Sequence, residues 1–352
     1  MVKMYRRNFL ISTVAVLALY GYLWAAEPNK PADVNDVNKA APIVEVPPLP
    51  FVPGSWTLVV LPDTQHYSED YPGLFNLQTQ WVIDNKDKYN IVYVLQSGDI
   101  TNKATVIEWE RASRAMDRLE GIVPYVIVPG NHDYTRGGQN RSILMNDYFP
   151  PSRFAKWPTF GGVMEQGHIE NCYHLFKAGG QDWLIIGLEW APRDKTLQWA
   201  DKILQQYPDR KAIFLTHAYL YSDSTRYDWK QKGKSQQWSP HNYKSAAGAT
   251  NDGEEMWQKV LKKYKNVFMV LNGHVLNDGL GFLVSTGDNG NKVYQLLADF
   301  QTRAVGGGGA WLQLLEFLPD GQTIQVKTYS PLYEKYETGP ESQFVIKTSQ
   351  SG

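Results

Sequence analysis

Short apolar runs alternate with amphipathic stretches along most of the chain. Runs rich in β-branched residues, which are typical of buried strands, lie at 56–61, 91–95, 125–128, 183–188, 212–215 and 267–271. Stretches with helical periodicity separate several of them, at 76–88, 107–119, 196–207 and 254–264. After residue 292 the pattern changes to strands alone, at 293–298, 311–317 and 323–328. This alternation predicts one α/β domain with buried strands over residues 55–335, followed by a C-terminal tail at 336–352.

The residues that precede this domain have a different composition. Seven prolines between residues 27 and 54 predict an extended linker. Residues 1–8 carry three positive charges and no acid, and residues 9–26 are largely apolar and end in two alanines. A basic start, an apolar segment and small residues before a polar stretch are typical of a secretory signal. We therefore expect export, either to the periplasm or outside the cell.

The first segment also contains Arg6-Arg7-Asn8-Phe9-Leu10, which resembles the twin-arginine export signature, so the twin-arginine machinery is a candidate partner. The apolar run of 18 residues can, however, just span a bilayer. Residues 1–26 are therefore either a cleaved export signal or an N-terminal membrane anchor. A membrane is a partner only in the second case.

Charge and cysteine content narrow the chemistry. The formal net charge is −1, which gives no electrostatic basis for a constitutive nucleic-acid partner. Cys172 is the only cysteine, so an intramolecular disulfide and a zinc cluster held by thiolates are both excluded. Any metal ion bound by this chain must therefore be held by histidine, carboxylate or amide side chains.

Side chains that can bind metal follow five of the predicted strands. The five segments are Asp63-Thr64-Gln65, Gly98-Asp99, Gly130-Asn131-His132-Asp133, His217 and Gly273-His274. Each alone has an ordinary explanation, since an aspartate after a strand is usually a turn former. Together they predict a metal site, because ligands of open α/β sheets bind in the crevice outside the carboxyl ends of the strands. Oxygen and imidazole ligands suit Mn, Fe or Zn better than Ca.

These ordered segments resemble the motif blocks of the calcineurin-like metallophosphoesterases, and the Gly-Asn-His-Asp block is highly specific. The resemblance covers residues 56–276. It implies a β-sandwich flanked by helices, with two divalent metal ions at the strand ends. It also implies that His132 is the acid beside the phosphate. The implied metal ligands are Asp63 for the first ion, Asp99 for both ions, and Asn131, His217 and His274 for the second.

Two positions depart from the family pattern, and both belong to the first metal. Gln65 stands where the first block usually has histidine, and Leu276 stands where the last block usually has a second histidine. The Asp-Thr-Gln sequence is similar to that of one bacterial branch of the family. Gln65 still offers an amide oxygen, and the open candidates for replacing the missing histidine are His66, Asn277 and Asp278. We expect a first site that prefers Mn, Mg or Fe and is occupied more weakly than the second.

The resemblance implies hydrolysis of a phosphoester substrate by hydroxide held between two metal ions, drawn from Mn, Fe, Zn and Mg. His132 would protonate the leaving group, with Asp133 or a backbone carbonyl orienting its ring. Residues 219–253 form a long aromatic-rich stretch between two ligand blocks, which we interpret as a recognition loop. The candidate substrate contacts are Tyr227, Trp229, Arg136 and Arg303. The nature of the ester, from nucleotide to lipid or phosphoprotein, stays open.

Two non-enzymatic hypotheses remain. One is an exported binding protein with a degenerate phosphoesterase fold, which recognises a phosphorylated or glycan ligand through the aromatic stretch. The other is a membrane-anchored scaffold. A histidine placed as a general acid favours catalysis, because a protein that only binds its ligand has no use for a proton donor.

Overall fold

The computed structural model describes residues 46–135, 141–243, 250–304 and 306–348, in which helices flank two β-sheets. The first sheet contains β1 (Trp56–Leu61), β2 (Ile91–Gln96), β3 (Tyr125–Ile127), β11 (Leu312–Phe317), β12 (Thr323–Ser330), β13 (Lys335–Glu337) and β14 (Phe344–Lys347). The second contains β4 (Phe160–Glu165), β5 (His168–Ala178), β6 (Gln181–Gly187), β7 (Lys211–Leu215), β8 (Val267–Asn272), β9 (Leu280–Thr286) and β10 (Lys292–Ala298).

Both sheets are mixed. The first has the order β13-β12-β11-β1-β2-β3, with β14 beside β12, and the second has the order β4-β5-β6-β7-β8-β10-β9. Strands β1, β2 and β3 run parallel, as do β6, β7, β8 and β10. Because parallel strands end at a common edge, the segments that follow them collect along one edge of each sheet.

Helices cover the outer faces of the sheets, with α2 and α3 on the first and α6 and α8 on the second. The helices are α1 (Gln65–Glu69), α2 (Pro72–Asn85), α3 (Val106–Asp117), α4 (Met145–Tyr148), α5 (Pro151–Phe154), α6 (Asp194–Gln206), α7 (Trp229–Lys232) and α8 (Gly253–Lys259). Single 3₁₀ turns lie at Asn131–Asp133, Gly233–Ser235, Pro240–Asn242 and Leu261–Lys263. None of the helices in the described ranges is long and apolar enough to cross a membrane.

The two sheets pack face to face around an aromatic core. Trp56 of β1 and Trp183 of β6 meet across the sheets, with ring centroids 5.2 Å apart. Along β6, Trp183 and Ile185 pack into this core, whereas Leu184 and Ile186 pack on the opposite face, beneath α6 and α8. A strand covered on both faces is apolar at successive positions, which is why β6 shows no alternation. The α/β sandwich flanked by helices is confirmed.

The periodicity did not predict β4, β5, β9, β13 and β14, and two of these strands are weakly buried. β4 is partly exposed along its whole length, β9 is partly exposed at most positions, and glycine interrupts the apolar residues of each. Both are end strands of the second sheet and pair antiparallel with their single neighbours. Such strands are specified by their partners more than by their own composition.

The segments assigned to a linker and a tail extend the domain at both ends. Residues 1–45, which include the predicted export signal, lie outside the described residues. Phe51 stacks on Tyr89 with ring centroids 3.8 Å apart, so the last residues of the predicted linker pack against the domain. β14 pairs with β12, which places residues 344–347 of the predicted tail in the first sheet. Both differences come from contacts between segments far apart in sequence.

A buried ion pair holds the N-terminal segment against β11 and β12. Lys327 and Glu316 are fully buried, and their side chains form an ion pair. Glu316 also accepts hydrogen bonds from the backbone N–H of Val52 at 2.6 Å and from Ser55 Oγ at 2.7 Å. Its carboxylate therefore ties residues 52–55 to the first sheet, and Lys327 supplies the compensating charge.

We expect Lys327→Met to lower the free energy of unfolding by about 3–5 kcal/mol, because it leaves the Glu316 carboxylate buried without a cation. Urea denaturation followed by tryptophan fluorescence measures the change. The control is Lys265→Met at an exposed lysine, which should change stability by less than about 0.5 kcal/mol. Equal stability of the two variants would show that the buried pair contributes nothing.

Candidate metal centre

The edges at which the parallel strands end meet in the structure. Asp63, Asp99 and Asn131 come from the first sheet, after β1, β2 and β3, and His217 and His274 come from the second, after β7 and β8. All five are buried, with exposed fractions between 0% and 5%. The residues that the strand pattern singled out as metal ligands are therefore brought together.

The imidazoles and carboxylates are spaced as ligands of a shared cation. His217 Nε2 lies 3.2 Å from Asp99 Oδ1, 4.0 Å from Asp63 Oδ2 and 3.2 Å from His274 Nδ1. Ligand atoms that are each about 2.1 Å from one ion lie roughly 3–4 Å from one another. Asp99, His217 and His274 offer ligand atoms that are all within 4.8 Å of one another. One ion can therefore be reached by all three.

Backbone carbonyls orient both imidazoles. His217 Nδ1 donates to the carbonyl of Ser97 at 2.8 Å, and His274 Nε2 donates to the carbonyl of Trp238 at 2.8 Å. Since a carbonyl oxygen only accepts, these contacts leave Nε2 of His217 and Nδ1 of His274 as the nitrogens that can bind a cation. Burial and the neighbouring His217 lower the pKa of His274 to about 3, so its ring is neutral.

Several buried carboxylates crowd the same region. Burial, followed by the charges of Asp299 and Asp99, raises the pKa of Asp63 well above its usual value. Burial also raises the pKa values of Asp133 and Asp299 to about 7. Burial acts on Asp99 in the same direction, but the neighbouring His217 outweighs it and holds the pKa of Asp99 low. Burial disfavours charged His217, yet Asp99 and Asp63 raise its pKa to about 10.

Two amide oxygens at the site are buried and lack a hydrogen-bond partner within the described ranges. They are Asn131 Oδ1 and Gln65 Oε1. Leaving a buried polar group unsatisfied costs about 1–3 kcal/mol, and a cation satisfies such an oxygen directly. Gln65 Nε2 donates to Asp99 Oδ2 at 3.3 Å, which leaves its oxygen available. Together with the excess of buried carboxylate, this donor set fits divalent metal ions.

Close approaches of the backbone explain the glycines of the motifs. A Cβ atom on Gly130 would lie 2.1 Å from Asp99 Oδ1, and one on Gly273 would lie 2.1 Å from Asp63 Oδ1. Two ligand residues themselves adopt left-handed backbone, Asp99 with φ 47° and His274 with φ 77°. This conformation costs a non-glycine residue on the order of 1–3 kcal/mol and persists where the surroundings enforce it. The candidate ligands are therefore held by strained, closely packed turns.

His132 lies beside Asp99 and is only partly buried. Its backbone N–H donates to Asp99 Oδ1 at 2.9 Å, and its Nδ1 donates to the carbonyl of Asn102 at 2.8 Å. The charge of Asp99 raises the pKa of His132 above its usual value, against the opposing effect of burial. The ring is thus oriented by a backbone carbonyl and not by Asp133. The Asp133 carboxylate instead accepts hydrogen bonds from the backbone N–H groups of Gly130, Ile100 and Thr101.

One of the two arginines predicted to contact the phosphate lies within the described residues. Arg136 lies outside the described residues. Arg303 forms an ion pair with Glu337, and its Nη2 donates to the carbonyl of Asp278 at 2.8 Å. Its guanidinium also lies 4.6 Å from the centre of the Phe300 ring. The charge and the donors of Arg303 are used within the domain, which argues against a phosphate contact.

The aromatic stretch after β7 reaches the site through a backbone carbonyl and through aromatic rings. Tyr227 is fully buried in the core beneath α8, so it packs the domain and is not a surface contact for substrate. Trp229 begins α7 and stays partly exposed, with its ring stacked 6.0 Å from that of His241. The carbonyl of Trp238 orients the candidate ligand His274. The rings of Tyr227 and Tyr243 lie 6.2 and 6.4 Å from the His274 ring.

Asp299 is a further acidic residue at this edge that the strand pattern did not indicate. This residue follows β10, which runs parallel to β8, so it emerges at the same edge as His274. It is buried, and its charge acts on Asp63. A signal was present, since Asp299-Phe300-Gln301 follows an apolar run just as Asp63-Thr64-Gln65 does. Because the strands after residue 292 lack intervening helices, the pattern gave no reason to place a parallel neighbour of β8 there.

Comparison with known proteins gives matches to both the sequence and the fold. The family described as calcineurin-like phosphoesterase matches residues 57–278. Uncharacterized protein YvnB of Bacillus subtilis (strain 168) is 33% identical over 297 residues, which are 82% of this chain but only 20% of that protein, so the chain spans about a fifth of this relative. Purple acid phosphatase PPD1 from yellow lupin (Lupinus luteus) seeds is similar in fold, with a TM-score of 0.50 and 16% identity over 85% of this chain and 55% of its own. The chain belongs to the calcineurin-like phosphoesterase family.

Proposed function

We propose that this chain hydrolyses a phosphoester with the help of two divalent cations. The observation that carries the proposal is the buried donor set, in which oriented imidazoles, carboxylates and two unsatisfied amide oxygens lie beside a histidine able to donate a proton. Unsatisfied oxygens and left-handed ligand residues destabilise a fold by themselves. Their presence together at one edge is therefore explained by a ligand and not by packing.

The donors divide between two sites that share one carboxylate. Asp63, Gln65 and Asp99 would hold one cation, and Asp99, Asn131, His217 and His274 would hold the other. Cations bound there lower the pKa of water and neutralise the phosphoryl oxygens of an ester. The backbone carbonyls that orient both imidazoles keep this donor set rigid.

We assign His132 as the proton donor. The carbonyl of Asn102 holds its Nδ1, which leaves Nε2 as the nitrogen that can deliver a proton to the leaving oxygen. The charge of Asp99 raises the pKa of His132, which favours the protonated form that a proton donor needs. A general acid is most effective when its pKa lies close to the working pH.

The test is turnover of a panel of phosphomonoesters and phosphodiesters by metal-depleted protein reconstituted with Mn, Fe, Zn or Mg. Metal-dependent turnover of at least one ester supports the proposal. Binding of a phosphorylated or glycan ligand without turnover of any ester, under every metal, would support a degenerate binding protein instead.

We expect His132→Ala to lower kcat/KM by about 100- to 10,000-fold while both metal ions stay bound, because it removes only the proton donor. Asp99→Ala should lose metal as well as turnover, since it removes the shared carboxylate. Elemental analysis after dialysis separates these outcomes. The control is His168→Ala at an exposed histidine, which should behave as the unsubstituted protein. Loss of metal from His132→Ala would contradict its assignment as the acid.

Metal-free protein should become less stable as the pH rises from about 6.5 to 8.5. Asp133 and Asp299 have folded-state pKa values raised to about 7, and His217 has one raised to about 10. The folded chain therefore holds more protons than the unfolded chain. The stabilisation from the two carboxyls is lost mainly as the pH rises to about 7, whereas that from His217 is lost between about pH 6.5 and 10, so His217 carries most of the decline over this range. The lowered pKa of His274 acts with the opposite sign, but only below about pH 6.5.

Melting temperatures measured by circular dichroism with and without Mn²⁺ check this expectation. Bound cations replace the protons, so the Mn²⁺-saturated protein should show a much smaller decline over the same pH range. A melting temperature that rises with pH in the metal-free sample would refute the account of buried charge.

A further inference from the structure

The first metal site lacks an imidazole, because Gln65 and Leu276 occupy the two positions where the family pattern has histidine. We propose that Asp299 takes the place of the missing ligand at Leu276. The first cation would then be held by oxygen atoms alone, from Asp63, Gln65, Asp99 and Asp299. This inference rests on the proposed function, since it supposes that two cations bind at this edge.

The backbone places Asp299 beside the second ligand block. β10 and β8 are parallel, with Leu297 opposite Asn272, and two residues further along each chain come Asp299 and His274. The N–H of Asp299 donates to the carbonyl of Gly279 at 2.7 Å. A Cβ atom at Gly279 would lie 1.6 Å from the carbonyl oxygen of Asp299, so this backbone is locked against the loop that carries Leu276.

A chain of hydrogen bonds connects Asp299 to Gln65 and Asp99, two of the other proposed ligands of the first cation. Gln301 holds the Asp299 carboxylate, with its backbone N–H on Oδ1 at 2.9 Å and its Nε2 on Oδ2 at 3.1 Å. The amide oxygen of Gln301 accepts a hydrogen bond from Gln65 Nε2, which also donates to Asp99. The amide nitrogens are therefore used within this chain. Gln65 Oε1 is left buried and without a partner among the described residues.

No cationic side chain among the described residues lies in ion-pair contact with the Asp299 carboxylate. The residue is 2% exposed, and the positive charge that acts on it comes from His217, which is in contact with Asp99. A carboxylate in this situation is strongly disfavoured unless a cation lies beside it. The unpaired charge of Asp299 and the unsatisfied oxygen of Gln65, joined through Gln301, both indicate a cation at the first site.

The other candidates for replacing the missing histidine are at least partly exposed and make contacts away from Gln65. The side chain of His66 is 38% exposed and pairs with Glu69 at 3.6 Å. Asn277 is exposed and donates to Ser222 Oγ at 2.8 Å. Asp278 is exposed as well, and its carboxylate accepts a hydrogen bond from the backbone two residues further along. Only Asp299 among these candidates is both buried and linked to Gln65.

A first site with oxygen ligands alone prefers different metal ions from the second site. Carboxylate and amide oxygens suit hard ions such as Mn²⁺ and Mg²⁺, whereas the imidazoles of His217 and His274 suit Zn²⁺. With Asp299 included, the first site has three carboxylates and is not merely a weakened copy of the family site. We therefore expect the two sites to select different metals.

Titration of Mn²⁺ into the metal-depleted full chain, followed by the electron paramagnetic resonance signal of free Mn²⁺, counts the bound ions and gives their affinities. The unsubstituted protein should bind two. Asp299→Ala should weaken the binding of one of them by at least about tenfold. The tightest Zn²⁺ site, measured by competition with a chromogenic chelator, should change by less than about twofold because its imidazoles are intact.

Asp278→Ala is the matched control, because it removes an exposed carboxylate from the same part of the molecule, and it should bind both ions normally. Gln301→Ala separates ligation from orientation, since it removes the side chain that holds Asp299 and should weaken Mn²⁺ binding less than Asp299→Ala does. If circular dichroism shows that Asp299→Ala is unfolded, Asp299→Asn, which keeps the shape but removes the charge, is interpreted in the same way.

Unchanged Mn²⁺ affinity in Asp299→Ala, or equal losses in Asp299→Ala and Gln301→Ala, would overturn the inference. Binding of a single ion by the unsubstituted protein would overturn it too. The proposed function is decided separately by turnover. A protein that binds two ions through Asp299 but hydrolyses no ester would disprove hydrolysis and leave the ligand assignment intact.

Discussion

The burial of several carboxylates where the ends of two sheets meet is the constraint on which the rest of the site depends. Asp63, Asp99 and Asp299 are each 2% exposed, and Asp133 is fully buried. Like charges held away from water repel one another and lose their hydration, so such a cluster needs cations. His217 compensates part of this charge. Cation binding and the stability of this end of the domain therefore both depend on the repulsion among these buried carboxylates.

Rigid strands make this cluster possible. Each candidate ligand follows within four residues of the end of a strand, from Asp299 directly after β10 to Asn131 four residues after β3. Short connections of this kind leave the backbone little conformational freedom. At Asp99 and His274 the backbone adopts the left-handed conformation. The strain is balanced by packing of the sandwich, whose core joins both sheets. The site is thus as precise as the strands beneath it.

The two halves of the site differ in chemical character, and that difference follows from which sheet supplies each donor. The imidazoles come from β7 and β8 of the second sheet, and their outer nitrogens bond to backbone carbonyls. The carboxylates Asp63 and Asp99 come from the first sheet. If Asp299 is a ligand, the second sheet also supplies a carboxylate, which lies beside the carboxylates from the first sheet. Gln65 and Leu276, which stand where the family pattern has histidine, would then change which metal ion the first site prefers, but the site would still have enough ligands to bind one.

The sequence by itself determined the central strands, the longer helices and most of the candidate ligands. Strand ends such as those before Asp63, Asp99 and His274 could be read locally, because a buried strand and the turn that follows it leave a continuous apolar run before a polar residue. The motif glycines could be read as well, since their need for space is a property of the turn itself. The family resemblance then supplied the sandwich.

Only the tertiary structure decided which residues meet. Asp299 joins the site because β10 pairs with β8, and residues 344–347 join the first sheet because they pair with β12. Tyr227 is core because α8 and the second sheet enclose it, although its sequence neighbours suggested an exposed loop. Strand pairing and burial depend on contacts between segments distant along the chain. A local pattern of apolar and polar positions does not contain that information, which is the physical reason for the division.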